Sequence, residues 1–275
     1  MTSPNPNVAG QAAPEADLTG WTASPFSAEG FTYDVYRKGE GPGVVLIPEM
    51  PGLHPGVLAL GNHLVDNGFT VASPSLYGTP GAAAVRPGML PVMLRGCVAK
   101  EFAAFATNAD RPIAHYLRAL ARDLNEKTPG KGVGVIGQCW SGGFALAAAV
   151  DDSVLAPVLS QPSLPVGLTA KQKADPGLSE GELKIIEQRA ANDGLCALGL
   201  RFSEDPLSPG ERFKTLKDRL GDAFEVIEIS SKKGNEHGFG KMAHSVLTLE
   251  VREQEGQPAY EARKRVVQFL KERLV

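Results

Sequence analysis

Residues Val133–Gly143 read VGVIGQCWSGG and decide the fold class of this chain. The apolar run up to Gly137 is short, as expected for a buried parallel strand. Cys139 follows almost at once, and the Ala-rich stretch Phe144–Val150 predicts a helix that packs closely on a sheet. A strand, a sharp turn and a helix in this order form a nucleophile elbow, usually written G-x-S-x-G. We therefore predict that Cys139 is presented as a nucleophile on such an elbow.

The residues that flank Cys139 are small, which a sharp strand-to-helix turn requires. Gly137 stands two residues before the cysteine, whereas the position two residues after it holds Ser141 in place of the usual glycine. Gly142 and Gly143 follow directly. The positive end of the next helix favours the thiolate form of a cysteine at this place. A lone cysteine is most often a buried structural residue, and the strand–helix context is what favours a nucleophile here.

Strands and helices alternate along the rest of the chain. The sequence predicts strands at 31–37, 43–47, 69–73, 132–137, 154–159, 195–202 and 223–229, and helices at 57–67, 112–126, 144–150, 181–191, 210–220 and 257–273. This order predicts an α/β fold with a mostly parallel central sheet and helices on both faces. We expect one domain over residues 26–275, after a flexible tail at residues 1–25 that is rich in Pro, Ala, Asn and Ser. Residues 74–91 are loop-rich, and the stretch that follows to about residue 110 is hard to assign. Whether residues 79–110 form a lid is left open.

The overall composition is that of an ordinary globular protein. Of the 275 residues 43% are hydrophobic and 21% charged, and the net charge of −3 gives no reason to expect nucleic acid or an anionic membrane as a partner. No apolar run is long enough for a transmembrane helix, and the N-terminal stretch lacks the features of a secretory signal. The three cysteines lie far apart with no CxxC pair, so we expect neither disulfides nor a metal site, and a cytoplasmic location.

A cysteine nucleophile needs a base, and in this type of fold the acid and then the histidine follow the nucleophile along the chain. Only His237 and His244 lie downstream of Cys139. We predict His237 as the base, because it lies in a Gly-containing loop directly after a predicted strand. His244 comes later, and we expect it to be a surface or packing residue.

The acid that orients the histidine is expected in the loop after the predicted strand at 195–202. Glu204 and Asp205 both stand there. We prefer Asp205, because the following Pro206 fixes a turn in which a short carboxylate is well held. Such a carboxylate holds the imidazole in the correct tautomer and stabilises its charged form.

An oxyanion hole is expected from two backbone N–H groups. The first belongs to Trp140, directly after the nucleophile, and the second to Met50 in the loop that follows the predicted strand at 43–47. His54 in the same loop is a candidate for lining the pocket. Other residues receive structural or pocket roles: Cys97 and Cys196 in the core, His63 and His115 on helices, and Phe102 and Phe105 beside Trp140 in an apolar pocket or in plain core.

With these residues assigned, the chain resembles the dienelactone hydrolase family of α/β-hydrolases over about residues 30–273. The resemblance rests on VVLIPEMPGLHP, ASPSLYG, VIGQCWSGG, FSEDPLSP and NEHGFG. It implies an α/β-hydrolase fold, a Cys139–Asp205–His237 triad and a reaction that needs no cofactor.

The resemblance also implies roles around the nucleophile. Glu49 matches a glutamate that contacts the resting thiol and helps to generate the thiolate. Two arginines bind the substrate carboxylate in the family, and here Arg86 stands for one while Lys241, four residues after His237, stands at the position of the other. Lysine does not reproduce the bidentate geometry of arginine. Together with the unmatched residues 79–110, this change suggests a pocket remodelled away from dienelactone itself.

These observations lead to one hypothesis of function with two alternatives. The first is a cofactor-free cysteine hydrolase of activated esters or lactones, acting on a small molecule, in which Cys139 attacks the carbonyl and His237 transfers the proton. The alternatives are a non-catalytic small-molecule binding or sensor protein on the same fold, and an acyltransferase that uses the same residues. The oligomeric state is left open.

Overall fold

The protein is described by a computed structural model that covers residue 8 and residues 10–84 and 99–275. Its strands are β1 (Thr22–Ala28), β2 (Phe31–Lys38), β3 (Gly43–Ile47), β4 (Thr70–Pro74), β5 (Val133–Gln138), β6 (Val154–Ser160), β7 (Ala197–Phe202) and β8 (Phe224–Ile229). Its helices are α1 (Pro55–Asp66), α2 (Pro112–Lys127), α3 (Phe144–Ala148), α4 (Ala170–Ala174), α5 (Glu180–Asn192), α6 (Gly210–Leu220) and α7 (Pro258–Leu274). Short 3-10 turns lie at Cys139–Ser141 and Gly221–Ala223.

The eight strands form one sheet in the order β1-β2-β4-β3-β5-β6-β7-β8. The pairs β1–β2 and β2–β4 are antiparallel, and all other neighbours are parallel. The predicted α/β-hydrolase architecture, with its mostly parallel sheet, is therefore confirmed. Because the strands from β3 to β7 run in the same direction, their carboxyl ends meet at one edge of the sheet, where α/β folds bind their ligands.

Helices cover both faces of the sheet, which explains why the central strands are apolar throughout. Every residue of β3, β5 and β7 is buried. On one face α2, α3, α5 and α6 contribute to a single apolar cluster, and on the other face α1 and α7 contribute to a second. Because both faces of these strands are buried, neither face carries a row of polar side chains. A half-buried strand, in contrast, alternates apolar and polar residues. Among the described residues, no helix has the length and apolarity needed to cross a membrane.

The beginning of the chain differs from the expected flexible tail. Residues Thr22–Ala28 form β1, which pairs with β2 through a two-residue turn at Glu29 and Gly30, both with positive φ. Pro25 and the polar residues around it obscure the strand in the sequence. A proline is tolerated here because β1 is an edge strand, where a missing N–H costs no ladder hydrogen bond. The tail expectation is thus wrong for residues 22–25.

Candidate active site

Four polar side chains that the sequence places far apart meet at the carboxyl edge of the sheet. Glu49 follows β3, Cys139 follows β5, Asp205 follows β7, and His244 lies in the long loop between β8 and α7. All four are at least nine-tenths buried. The parallel arrangement of the strands is what brings them together.

The expected elbow is present in the backbone. Cys139 has a φ of 52°, a left-handed conformation that residues with a side chain seldom adopt. A Cβ atom on Gly137 would lie 2.3 Å from the carbonyl oxygen of Ser141, and one on Gly142 would lie 2.5 Å from Cα of Pro162. Both glycines are therefore required by close backbone approach. The turn holds the thiol at the start of the helical segment.

Ser141, which replaces the usual glycine, fastens the elbow to the neighbouring strand. Its Oγ accepts a hydrogen bond from the Gln138 N–H at 3.0 Å. The same oxygen lies 2.9 to 3.2 Å from the carbonyl oxygens of Gln138, Pro48 and Ile47, to which its single proton can donate. A glycine would supply none of these bonds. The departure from the motif is thus a local anchor between β5 and the end of β3.

Asp205 pairs with a histidine on the far loop. Its Oδ2 lies 2.6 Å from Nδ1 of His244, and its Oδ1 accepts the Leu207 N–H at 2.9 Å. The turn after β7 therefore fixes the carboxylate from one side while the histidine occupies the other. Glu204, the alternative acid, has an exposed side chain.

The ring of His244 lies between Asp205 and Cys139. Burial alone would lower the pKa of His244, but attraction to the Cys139 thiolate, together with hydrogen bonds to Asp205 and Cys139, raises it well above 6.5. Its Nε2 is buried and has no close nitrogen or oxygen partner among the described residues. This nitrogen is therefore the one that is left to bond the Cys139 sulfur.

A sequence profile of the dienelactone hydrolase family matches residues 30–274. The chain belongs to the dienelactone hydrolase family. A search of curated proteins gave no match. Solved structures with the same fold include an assigned dienelactone hydrolase from Klebsiella pneumoniae, with 17% identity over 91% of this chain and 98% of that one and a TM-score of 0.59. They also include a dienelactone hydrolase from Anabaena variabilis, with 14% identity, 93% and 98% coverage and a TM-score of 0.57. A dienelactone hydrolase-like promiscuous phosphotriesterase from metagenomic libraries has 17% identity, 93% and 100% coverage and a TM-score of 0.57.

The histidine that pairs with Asp205 differs from the one predicted. His237 is half-buried and lines a separate cleft of about 680 Å³ between β8 and α7, whereas Asp205 is bonded to His244. The pairing of His237 with Asp205 is therefore corrected to His244. The residues around His237 stabilise the local turn, because the Asn235 side chain bonds the backbone N–H and carbonyl of Phe239.

One signal in the sequence distinguishes the two histidines. The stretch Lys232–Lys241, KKGNEHGFGK, is rich in charge and glycine, which is typical of a solvated loop. The stretch Ala243–Thr248, AHSVLT, is apolar apart from its histidine and hydroxyls, and all six residues are buried. A titratable residue within an apolar segment is the better candidate for a buried hydrogen-bonded pair.

Glu49 is fully buried and surrounded by donors, but its bonds do not go to the thiol. Its carboxylate accepts hydrogen bonds from Ser245 Oγ at 2.8 Å, from Gln161 Nε2 at 3.3 Å, from Thr248 Oγ1 and from His54 Nε2 at 3.2 Å. Burial alone would raise the pKa of Glu49, yet the bonds from His54, Thr248 and Ser245 outweigh it and lower the pKa. The role expected from the family, contact with the resting thiol, is not seen among these bonds.

The two amides expected to form an oxyanion hole lie at the ends of β3 and β5. Met50 and Trp140 are both buried. Among the described residues, the Met50 N–H donates to no acceptor, and the N–H of Trp140 belongs to the first turn of a 3-10 helix, where no intrahelical acceptor exists. Both N–H groups are thus without a protein acceptor in the described part of the chain.

The expected substrate-binding residues do not all fall in the described part of the chain. Arg86 lies outside the described residues, and Lys241 is exposed. His54 is buried, and its Nε2 bonds to the Glu49 carboxylate. The position four residues after His244 holds Thr248, whose hydroxyl also bonds to Glu49.

The other aromatic, cysteine and histidine side chains singled out in the sequence lie partly in the core and partly near the surface. Phe102 is buried and stacks on Phe144 at 6.2 Å, whereas Phe105 is 47% exposed and Cys196 is half-buried. Cys97 lies outside the described residues. His63 is half-buried on α1, and His115 on α2 pairs with Asp110 at the surface. No group of three or more metal-binding side chains occurs in the described part of the chain.

Proposed function

We propose that this member of the family is a cysteine hydrolase of activated carboxylic esters or lactones. The observation that supports it best is the bond between Asp205 and Nδ1 of His244, whose other ring nitrogen is left to bond Cys139. A thiol, an imidazole and a carboxylate in this order are the parts of nucleophilic catalysis at a carbonyl. No cofactor enters the proposed reaction.

The first half of the reaction forms a thioester. The Cys139 thiolate attacks the carbonyl carbon, a C–S bond forms, and the carbonyl electron pair moves onto oxygen, where the N–H groups of Met50 and Trp140 bind it. The tetrahedral intermediate then collapses, the C–O bond breaks, and the leaving oxygen takes the proton held by His244.

The second half hydrolyses the thioester. Neutral His244 removes a proton from water, whose oxygen attacks the thioester carbon. The C–S bond breaks with its electron pair on sulfur, the carboxylic acid departs, and the imidazolium–thiolate pair is restored. Asp205 keeps its bond to His244 and stabilises the imidazolium in each step.

The preference for activated substrates follows from the thiolate. A tetrahedral intermediate expels its better leaving group, and a thiolate leaves more readily than a simple alkoxide. With an alkyl ester the intermediate therefore reverts to substrate. With an enol or phenol ester the oxygen leaving group competes with sulfur, and the reaction goes forward. The proposed substrates are small molecules with such activated acyl groups.

The test compares wild type with Cys139→Ala, Cys139→Ser and His244→Ala on p-nitrophenyl acetate and on ethyl acetate. We expect turnover of the activated ester alone, its loss in Cys139→Ala, and an acetyl group on the Cys139 peptide during turnover. Undiminished hydrolysis by Cys139→Ala would refute the proposal. Stable acetylation without turnover would instead favour a binding or sensor protein, and a product shifted to an ester by added alcohol would favour acyl transfer.

A further inference from the structure

The segment Gln161–Ser163 packs against the elbow that carries Cys139 and is held by hydrogen bonds of its backbone. The Ser163 N–H donates to the carbonyl oxygen of Cys139 at 2.9 Å. Pro162 packs against Gly142 of the elbow, and its carbonyl oxygen accepts a hydrogen bond from Arg212 at 2.5 Å. Gln161 has a φ of 36°, so the backbone turns sharply at this point. The position of Ser163 relative to Cys139 is therefore set before any substrate binds.

Arg212 shows how strongly this segment is held. Its guanidinium is fully buried on α6 and donates to the carbonyl oxygens of Pro162, Pro165, Gln172 and Asp175. A buried cation that is bonded to four backbone carbonyls leaves the chain around Ser163 little freedom to move.

The Ser163 hydroxyl has two acceptors for one proton. Its Oγ lies 3.8 Å from Sγ of Cys139 and 3.1 Å from the carbonyl oxygen of Gln161, and the residue is 7% exposed. A hydroxyl that rotates about its C–O bond can donate to only one of them at a time. A negatively charged sulfur attracts the proton much more strongly than a neutral thiol or thioester sulfur does.

We propose that Ser163 is a second hydrogen-bond donor to the Cys139 sulfur, beside His244, whose proton follows the charge on that sulfur. It donates to the sulfur when that atom carries a negative charge and to the Gln161 carbonyl while the sulfur is acylated. This inference rests on the proposed function only in its second part, since the bond to a thiolate requires no substrate.

The consequence is largest when the thioester is hydrolysed. As the C–S bond breaks, its electron pair moves onto sulfur, and the Ser163 hydroxyl turns from the Gln161 carbonyl to the developing thiolate. No proton is transferred, because Ser163 keeps its hydrogen throughout. In the opposite direction, stabilising the thiolate increases its population but makes it a weaker nucleophile. Loss of the hydroxyl should therefore slow deacylation more than acylation.

The test compares Ser163→Ala with Ser163→Thr, which keeps a hydroxyl, and with Ser73→Ala. Ser73 is a matched control, because its buried hydroxyl donates to the Leu46 carbonyl oxygen at 2.5 Å between two strands. Ser163→Gly is a second variant without the hydroxyl. Two quantities are measured: alkylation of Cys139 by iodoacetamide against pH, resolved by peptide mass spectrometry, and burst kinetics with p-nitrophenyl acetate.

We expect Ser163→Ala and Ser163→Gly to move the midpoint of the alkylation profile up by about one pH unit, since one hydrogen bond to a charged group is at stake. We expect deacylation to slow by about tenfold for the same reason, with more acetyl-Cys139 at steady state. Ser163→Thr and Ser73→Ala should match wild type. Unchanged midpoints in both hydroxyl-free variants would overturn the inference, and so would an equal shift in Ser73→Ala. If wild type forms no acetyl-Cys139, the proposed hydrolase fails, while the alkylation profiles still decide the role of Ser163.

Discussion

Nε2 of His54 lies 3.2 Å from Oε1 of Glu49, and neither side chain reaches solvent. Nδ1 of His54 accepts the Gly56 N–H at 3.1 Å as the N-cap of α1, so the ring proton must sit on Nε2 and point to the carboxylate. Glu49 is thus a fixed anion that ties the β3 loop to the loop of His244. A carboxylate engaged in this way positions its neighbours and is poorly placed to shuttle protons from a thiol.

Glu49→Gln should destabilise the fold by about 3 to 5 kcal/mol at pH 7, because an amide nitrogen would face buried donors. The loss should shrink in acid. The pKa of Glu49 is lower in the native state than its ordinary value near 4.5, so the carboxylate stabilises the fold above that pH and ceases to do so as the pH falls through the native pKa. Urea unfolding of wild type and variant between pH 7 and pH 3 measures both effects.

The exposed Glu126 on α2 provides the control for this experiment. Glu126→Gln should change the free energy of unfolding by less than about 0.5 kcal/mol. Equal effects of the two substitutions would show that the hydrogen bonds of Glu49 add no more to the free energy of unfolding than an exposed carboxylate does.

His244→Ala should reduce kcat/KM for p-nitrophenyl acetate by about a thousandfold or more, because the base and the partner of the thiolate are both lost. His237→Ala should stay within about threefold of wild type, because His237 lines a separate cleft and Asp205 is bonded to His244 instead. Steady-state kinetics of the two variants decides between the histidines. A large loss in His237→Ala with little loss in His244→Ala would restore the expectation from the sequence.

Activity should persist well above pH 6.5, because His244 supplies the proton for the leaving group in the proposed reaction and its pKa is raised. Burial opposes the charge on His244, but Cys139 and Asp205 outweigh it and raise the pKa. The stabilisation that the charged ring gives the fold is complete below 6.5 and is lost as the pH rises through the higher native pKa. In Asp205→Asn the alkaline limb of the kcat/KM profile should move to lower pH, and kcat should fall by about two to four orders of magnitude. An alkaline limb that does not move would contradict the coupling of these two residues.

Ser141→Gly restores the usual motif and should nevertheless destabilise the protein by about 1 to 3 kcal/mol. The buried Gln138 N–H would lose its acceptor, and the link to the end of β3 would disappear. Thermal unfolding of this variant beside the exposed Thr79→Ala gives the comparison. A Ser141→Gly protein as stable as wild type would mean that Ser141 is only a tolerated substitution.

The parts of this molecule that the sequence reveals are those set by neighbouring residues. The elbow is recognisable because a strand, two glycines and a helix follow one another within Val133–Ala148. Asp205 is recognisable because Pro206 marks a turn directly after a strand. Each of these features needs only a short stretch of chain.

The features that the sequence conceals depend on distant partners. β1 is a strand because β2 offers it a partner, and its own composition argues against one. His244 meets Asp205 because a loop of about fifteen residues returns over the sheet, and no local pattern encodes that path. Ser163 carries no motif at all, and only the fold places its hydroxyl beside sulfur.

The left-handed backbone at Cys139 is imposed by the close approaches at Gly137 and Gly142 and by the Ser141 anchor, none of which involves sulfur. The contacts that fix this turn therefore do not depend on whether residue 139 carries a sulfur or an oxygen atom. A substitution of thiol by hydroxyl can be inherited without rebuilding the turn. In such a fold the nucleophilic atom can change in evolution while the turn that positions it stays the same.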